Sequence, residues 1–181
     1  KAAEELAKEG IEAEVIDRLI AWDLHRFYGF PGDGIGGFDG ALGRAERDGK
    51  DFTYIRPTHE EEAALMATAH AKFTGEVGVC MATSGPGAAH LVNGLYDARG
   101  DNQPVVAVVG QQARAATGSD FQQELNLERM FADVAVFVQT VLTAEHAPLV
   151  VDKAIRVAAA RRGPAVIILP TDVQELEMEE P

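Results

Sequence analysis

The sequence predicts an α/β fold: a single three-layer domain whose six-stranded parallel sheet carries helices on both faces. Three observations predict it. Uninterrupted apolar runs recur at Val77–Ala82, Pro104–Gly110 and Ala165–Leu169, the pattern of strands buried on both faces. Segments of helical periodicity separate them, as crossover connections require. Glycine-rich turns follow strands directly, at Pro31–Gly37 and Thr83–Gly87, where sheets of this type bind ligands.

Taken in order, Lys1–Glu9 predicts a short polar helix stopped by Gly10. Glu12–His25 predicts a second, which groups Val15, Ile16, Leu19, Ile20 and Trp22 at helical spacing with Trp22 as a core residue. Within it, Glu14–Asp17 also suits a strand. Arg26–Phe30 is a short aromatic strand running into the Pro31–Gly37 loop. Phe38–Arg47 reads as a helix stopped by Gly49, and Phe52–Ile55 as the second strand. His59–Phe73 is an alanine-rich helix closed by Gly75. Val77–Ala82 is the third strand, Ala88–Arg99 a helix and Pro104–Gly110 the fourth strand. A polar loop from Gln111 to Asp120 leads to a short helix at Phe121–Phe131 and a fifth strand at Val134–Val138. Ala147–Ala160 is a helix with Pro148 in its first turn, and Ala165–Leu169 the sixth strand, ended by Pro170.

A chain of 181 residues is long enough to bury a substantial core without metal or disulfide support. Its formal charge of −13 leaves no surplus of Lys and Arg to neutralise phosphates, which argues against nucleic acid and anionic membrane as partners. Cys80 is the single cysteine, so no internal disulfide forms, and its place in an apolar run makes it a buried strand thiol. No apolar run reaches the length of a membrane span, and Lys1–Leu6 holds no signal-peptide core, so a cytoplasmic protein is expected. The chain starts without Met and ends at Glu179-Glu180-Pro181. The expectation is therefore an excised piece, with 1–173 as the domain and 174–181 as an acidic linker towards a further one.

Two site types are weighed and set aside. Gly32, Gly34 and Gly37 meet a dinucleotide-type spacing, but the second strand ends in Ile55-Arg56-Pro57-Thr58 without the acidic residue a ribose needs. His59, Glu60 and Glu62 could group around a metal, yet no second histidine follows on that helix until His70, and hard cations want more oxygens, so no metal ligand is assigned. Read by itself, Glu60 is a first-turn charge that favours the helix N-terminus. His25, His70 and His146 read as helix-face or surface residues. His90 sits in the helix after the second glycine turn, where it could approach a partner chain, and is not assigned to catalysis.

The motifs gain specificity as an ordered set: Tyr28-Gly29-Phe30-Pro31-Gly32-Asp33, His59-Glu60-Glu61, Ala82-Thr83-Ser84-Gly85-Pro86-Gly87, Asn93-Gly94-Leu95-Tyr96-Asp97-Ala98, Pro104-Val105-Val106, Gly110-Gln111 and Gln123-Glu124. In order and spacing, from about residue 13 to 173, the chain resembles the N-terminal pyrimidine-binding domain of thiamine-diphosphate-dependent enzymes, the family of pyruvate oxidase, acetolactate synthase and pyruvate decarboxylase. It is most similar to the pyruvate oxidase-like members.

The resemblance implies that Glu60 hydrogen-bonds N1′ of the cofactor's aminopyrimidine and promotes its imino form. It implies cofactor contacts from Pro31, Gly32, Asp33, Ser84, Gly85, Pro86, Gly87 and Asn93, and a substrate-side position for Gln123, although Gln122 stands where the family usually has Phe. Diphosphate and magnesium are held in the family by a separate domain with Gly-Asp-Gly and Asn-Asn motifs. Gly32-Asp33-Gly34 imitates the first motif, and no Asn-Asn pair occurs here. The resemblance thus implies a pyrimidine-binding half that is inactive alone, from an enzyme that decarboxylates pyruvate or a similar 2-oxo acid. Magnesium, and FAD where used, belong to other domains, and the partner is a diphosphate-binding domain of the same or another subunit in a homodimer or larger homo-oligomer. Burial of the Ala63–Ala71 and Ala88–Leu95 helices between subunits would leave those faces exposed and apolar in the single chain. Two alternatives stay open: a stand-alone small subunit of a two-subunit decarboxylase, and a noncatalytic assembly module that kept the fold.

Overall fold

Six parallel strands build the sheet: β1 (Arg26–Gly29), β2 (Thr53–Ile55), β3 (Gly78–Ala82), β4 (Val105–Gln111), β5 (Phe137–Thr140) and β6 (Pro164–Pro170). They lie in the spatial order β2-β1-β3-β4-β6-β5 in a computed structural model that describes residues 10–178. The central strands β3 and β6 are buried at every position, as their unbroken apolar sequences require. Cys80 is fully buried in β3, and loss of solvent pushes its thiol up to about 12.

Successive side chains on a strand face opposite ways, and the sheet sorts them into two cores. Phe27, Val79, Met81, Val106, Val108 and Ile167 pack with α1 (Ile11–Ala21), α2 (Gly36–Arg47) and α6 (His146–Arg161). Tyr28, Cys80, Ala82, Ala107, Val109 and Ile168 pack with α3 (Glu60–Thr74), α4 (Pro86–Gly100) and α5 (Leu127–Phe131). From β1 the chain moves outward to β2 at the sheet edge, then returns across β1 to β3. The loops leaving β1 and β3 consequently diverge at a topological switch, where open α/β sheets form their binding crevice.

Helices α3 and α4 start at the same end of the sheet and run side by side. A methyl group at Gly94 of α4 would lie 2.5 Å from Ala64 Cβ and 2.7 Å from the Leu65 amide nitrogen of α3. The missing side chain is what lets the two backbones approach. Ala63, Ala64, Ala67 and Ala71 are all buried by this contact and by the sheet, as are Ala88, Leu91 and Leu95. The alanines expected to be exposed are therefore internal, and the apolar residues left at the surface of these helices are Leu65, Met66, Phe73 and Tyr96.

Other differences have local causes. The expected helix over 1–9 lies outside the described residues, and Glu14–Asp17 is helical within α1. Trp22 follows the end of α1 and is 40% exposed rather than core, with Nε1 donating to Asp152 Oδ1 at 2.9 Å. The Phe121–Phe131 helix shrinks to α5, which begins just after Asn126 because that side chain caps it, accepting the Arg129 N–H at 3.0 Å. The fifth strand starts at Phe137, three residues later than Val134, which is fully buried in the turn before it. Residues 171–174 form a short helix, α7 (Thr171–Gln174), with Gln174 buried and Leu176 and Met178 packed on the core. The segment from 174 to 178 thus lies against the domain where an acidic linker was expected.

The helix contact predicts the sign of two substitutions on α4. Gly94→Ala should cost about 1–3 kcal/mol by overpacking against α3. Gly100→Ala, which meets nothing within 4 Å, should leave stability unchanged or raise it by up to about 1 kcal/mol. Urea denaturation of the two variants measures both.

Candidate functional site

The N-terminus of α3 is built by Thr58-His59-Glu60-Glu61-Glu62. His59 adopts an extended conformation and caps the helix, its Nδ1 accepting the Glu61 N–H at 3.2 Å. Glu62 turns back to accept from the Thr58 amide at 2.9 Å and the Thr58 hydroxyl at 2.8 Å. Those two bonds hold its carboxyl below the usual range, hydroxyl first. Asn93 of α4 donates to Glu61. With its neighbours committed to capping and to α4, Glu60 is the first-turn carboxylate that turns inward.

Its side chain is 12% exposed, and its two oxygens have different surroundings. Oε2 accepts a hydrogen bond from Nδ1 of His90 at 3.0 Å and lies 3.9 Å from Nε2 of His59. The two imidazoles lie 4.5 Å apart between ring centroids. Oε1 faces the second glycine turn, where a methyl group at Gly87 would sit 3.3 Å away. A carboxylate fixed by one oxygen and turned by the other towards the Gly87 backbone can take up or release a proton at that second oxygen.

That turn, Ser84–Gly87, leads from β3 into α4. Gly85 has φ +59° and ψ −118°, and a methyl group there would lie 2.2 Å from the Gln123 carbonyl oxygen, so both backbone angle and space demand glycine. Pro86 occupies the first helical position, where no N–H is required. The β1 loop meets this turn closely: the Gly34 N–H donates to Thr83 Oγ1 at 2.9 Å, and Thr83 also fills the space beside Gly32 and Gly87. Ser84 Oγ accepts from Gln112 Nε2 at 3.2 Å and donates to Gln123 Oε1 at 3.4 Å.

Gln123 itself has φ +63°, an uncommon angle for a side chain of its size, and it stands across the turn from Ser84. With Asp33, Gly34, Gln112, Phe121, Gln122 and Thr171 it lines a cavity of about 150 Å³. Phe121 and Gln122 both reach that cavity. A larger one of about 550 Å³ lies at the ends of β4, β5 and β6, lined by Gln111, Arg114, Glu124 and Glu128 among others, and does not include Glu60.

Electrostatics at the first loop centre on Asp39 of α2. Burial pushes its carboxyl up to about 6, against the opposing pull of the Gly32 N–H and of Arg56. Asp39 Oδ2 accepts that Gly32 N–H at 3.2 Å. Tyr54 donates its hydroxyl to the Gly29 carbonyl at 2.9 Å and is pushed up to about 12, by burial first and then by the charge of Asp39.

Glu60, Ser84, Gly85, Pro86, Gly87 and Gln123 therefore share one end of the sheet, with Pro31, Gly32 and Asp33 on the adjoining loop. Asn93 stands further along α4, bonded to Glu61 rather than facing the glycine turn. Four residues were missed. His90 follows Gly87 by three positions, and that spacing puts both on one helix face, so a signal existed. Thr83, Asp39 and Gln112 act through contacts between distant segments, for which local sequence holds no sign.

Residues 11–130 match the family model described as thiamine pyrophosphate enzyme, N-terminal TPP binding domain. The chain is 47% identical over 155 residues to the putative thiamine pyrophosphate-containing protein YdaP of Bacillus subtilis, covering 86% of this chain and 26% of that protein. It is 45% identical over 161 residues to pyruvate oxidase of Lactiplantibacillus plantarum, covering 89% and 26%. It is 36% identical over 166 residues to acetolactate synthase of Arthrospira platensis, covering 91% and 28%. The chain spans about a quarter of the length of these relatives.

Asp39 yields a test at this site. With a folded-state value of about 6 against an ordinary 3.8, the fold favours the protonated acid, so its contribution is whole below pH 4 and is lost as pH rises to 6. Asp39→Asn cannot ionise and keeps the acceptor for Gly32. Its stability relative to the parent should rise between pH 4 and pH 6, with a slope of at most about 1.4 kcal/mol per pH unit, then level off. Urea melts across that range read the difference.

Proposed function

The chain belongs to the thiamine pyrophosphate enzymes, as an N-terminal TPP-binding domain, and on that premise we propose that it holds the pyrimidine end of thiamine diphosphate with Glu60 as the proton-exchanging carboxylate. The observation that carries this reading is the setting of Glu60. It is largely shielded from water, anchored through Oε2 to His90 and turned through Oε1 towards Gly87. Shielding favours a carboxylate that shares a proton with a ring nitrogen over one that is solvated.

Methyl groups at Gly85 and Gly87 would collide with the Gln123 carbonyl and with Thr83, so glycine at these positions is what lets Gln123 and Thr83 close on the turn beside Glu60. Pro31, Gly32 and Asp33 would border the ring from the β1 loop, and Ser84, Gly85, Pro86 and Gly87 from the other side. Asn93 would act through Glu61, steadying the turn of α3 that carries Glu60. Gln123, beside the small cavity, would face the substrate.

When bound, thiamine diphosphate supplies the carbanion stabilisation that decarboxylation of a 2-oxo acid needs. The chain's part is to orient the pyrimidine, exclude water and hold the exchangeable proton at Glu60. The relatives named pyruvate oxidase and acetolactate synthase support pyruvate or a similar 2-oxo acid as the substrate of the whole enzyme. A diphosphate-binding domain of the same or another subunit would complete the site, with magnesium, and FAD where used, held outside this chain. A homodimer or larger assembly brings the halves together, and the isolated chain would have no turnover.

Glu60→Gln tests the proposal, since it keeps size and fold while removing the exchangeable charge. In the full enzyme that carries this chain, kcat should fall about 100-fold or more, the range a positioned acid–base group supplies. An unchanged rate would assign the chain to a noncatalytic, assembly role.

A further inference from the structure

Two histidines and a carboxylate from different helices converge at the mouth of the sheet. His59 Nε2, Glu60 Oε2 and His90 Nδ1 stand with 3.9 Å between the first pair and 3.0 Å between the second. One donor from each of the three residues falls within 4.8 Å of the others. We propose that His59, Glu60 and His90 form a binding site for a transition-metal ion of the zinc or copper(II) class, and that an ion there occupies the carboxylate which the pyrimidine would use.

The donor chemistry selects the ion. Two imidazole nitrogens and one carboxylate suit borderline cations, whereas magnesium and calcium seek oxygen. The set equals the three protein ligands of open zinc sites, with the fourth position facing solvent. Ligands about 2.0–2.1 Å from a tetrahedral ion stand about 3.3–3.4 Å apart. Glu60 and His90 already lie within a few tenths of that spacing. His59 must close in, and each imidazole is 47% exposed, which leaves it free to turn.

Charge and capping set the cost. The N-terminus of α3 carries about half a positive charge that opposes a cation, but Glu60, Glu61 and Glu62 place three carboxylates in the same turn. In the neutral ring, His59 Nδ1 accepts the Glu61 N–H, so the ring proton sits on Nε2. Ligation through Nε2 moves that proton to Nδ1, and the cap, worth about 1 kcal/mol, is lost. His90 likewise shifts its proton from Nδ1, which now donates to Glu60, to Nε2. Metal binding consequently frees the Glu61 amide, a signature that an adventitious surface ion would not produce.

The test uses the metal-free full chain titrated with zinc chloride alone. One ion per chain, at least tenfold weaker binding in both His90→Gln and His59→Asn, and faster hydrogen exchange at the Glu61 amide are expected. Asparagine keeps the helix cap while removing the imidazole, so lost binding in that variant is not lost folding. Absence of stoichiometric binding, or binding that survives both substitutions, overturns the site. The competition rests on the proposed role of Glu60 and is tested separately in the full enzyme, where thiamine diphosphate should displace zinc. Zinc retained beside bound cofactor would keep the metal site and overturn the pairing of Glu60 with the pyrimidine.

Discussion

The approach of α3 to α4 is the constraint on which the rest of the structure depends. Gly94 removes the one side chain that would hold the two helices apart, and small residues on both sides let them run together from the same edge of the sheet. Both N-termini then arrive at one place. Glu60 starts one helix, Ser84–Gly87 starts the other, and the hydrogen bond from His90 to Glu60 ties them together. A bulkier seam would separate the carboxylate from the turn it faces, whatever the chemistry of either.

The same arrangement explains how one acidic turn divides its labour. Four consecutive residues face four directions: His59 caps the helix, Glu60 turns inward, Glu61 takes Asn93, and Glu62 ties down Thr58. Only one carboxylate is drawn into the dry region. The helix start sustains that burial because free N–H groups there favour negative charge, and because its neighbours have found partners elsewhere. Membership in the thiamine pyrophosphate enzymes gives this geometry its context, while the shielding and aim of Glu60 are properties of these particular helices.

The central sheet was legible because β3 and β6 are apolar at nearly every position, and burial on both faces leaves no other reading. The start of α3 at Glu60 and the Gly85-Pro86-Gly87 turn were legible too, since local chemistry and order along the chain carry them. Elsewhere, residues with the right composition served another purpose. Val134 is apolar because it anchors a turn, which drew the expected start of β5 three positions early. Trp22 is large and apolar but uses its indole N–H at the surface. Asp39 looks like any exposed helix charge, and only the fold reveals that it is partly buried, close enough for its charge to act on Tyr54, and bonded to the β1 loop. Polar burial of this kind depends on distant segments, so no window of sequence contains it.

Gln174 links the far end of the described chain to this loop. Its amide nitrogen donates to the carbonyl of Gly34 at 3.0 Å and to that of Leu169 at 2.9 Å, with the side chain almost wholly out of contact with solvent. One primary amide thus bolts the tail segment, the last strand and the first glycine loop into a single joint. Force or displacement applied to the chain just after α7 would reach the rim of the crevice through a single hydrogen bond, with no intervening layer to absorb it.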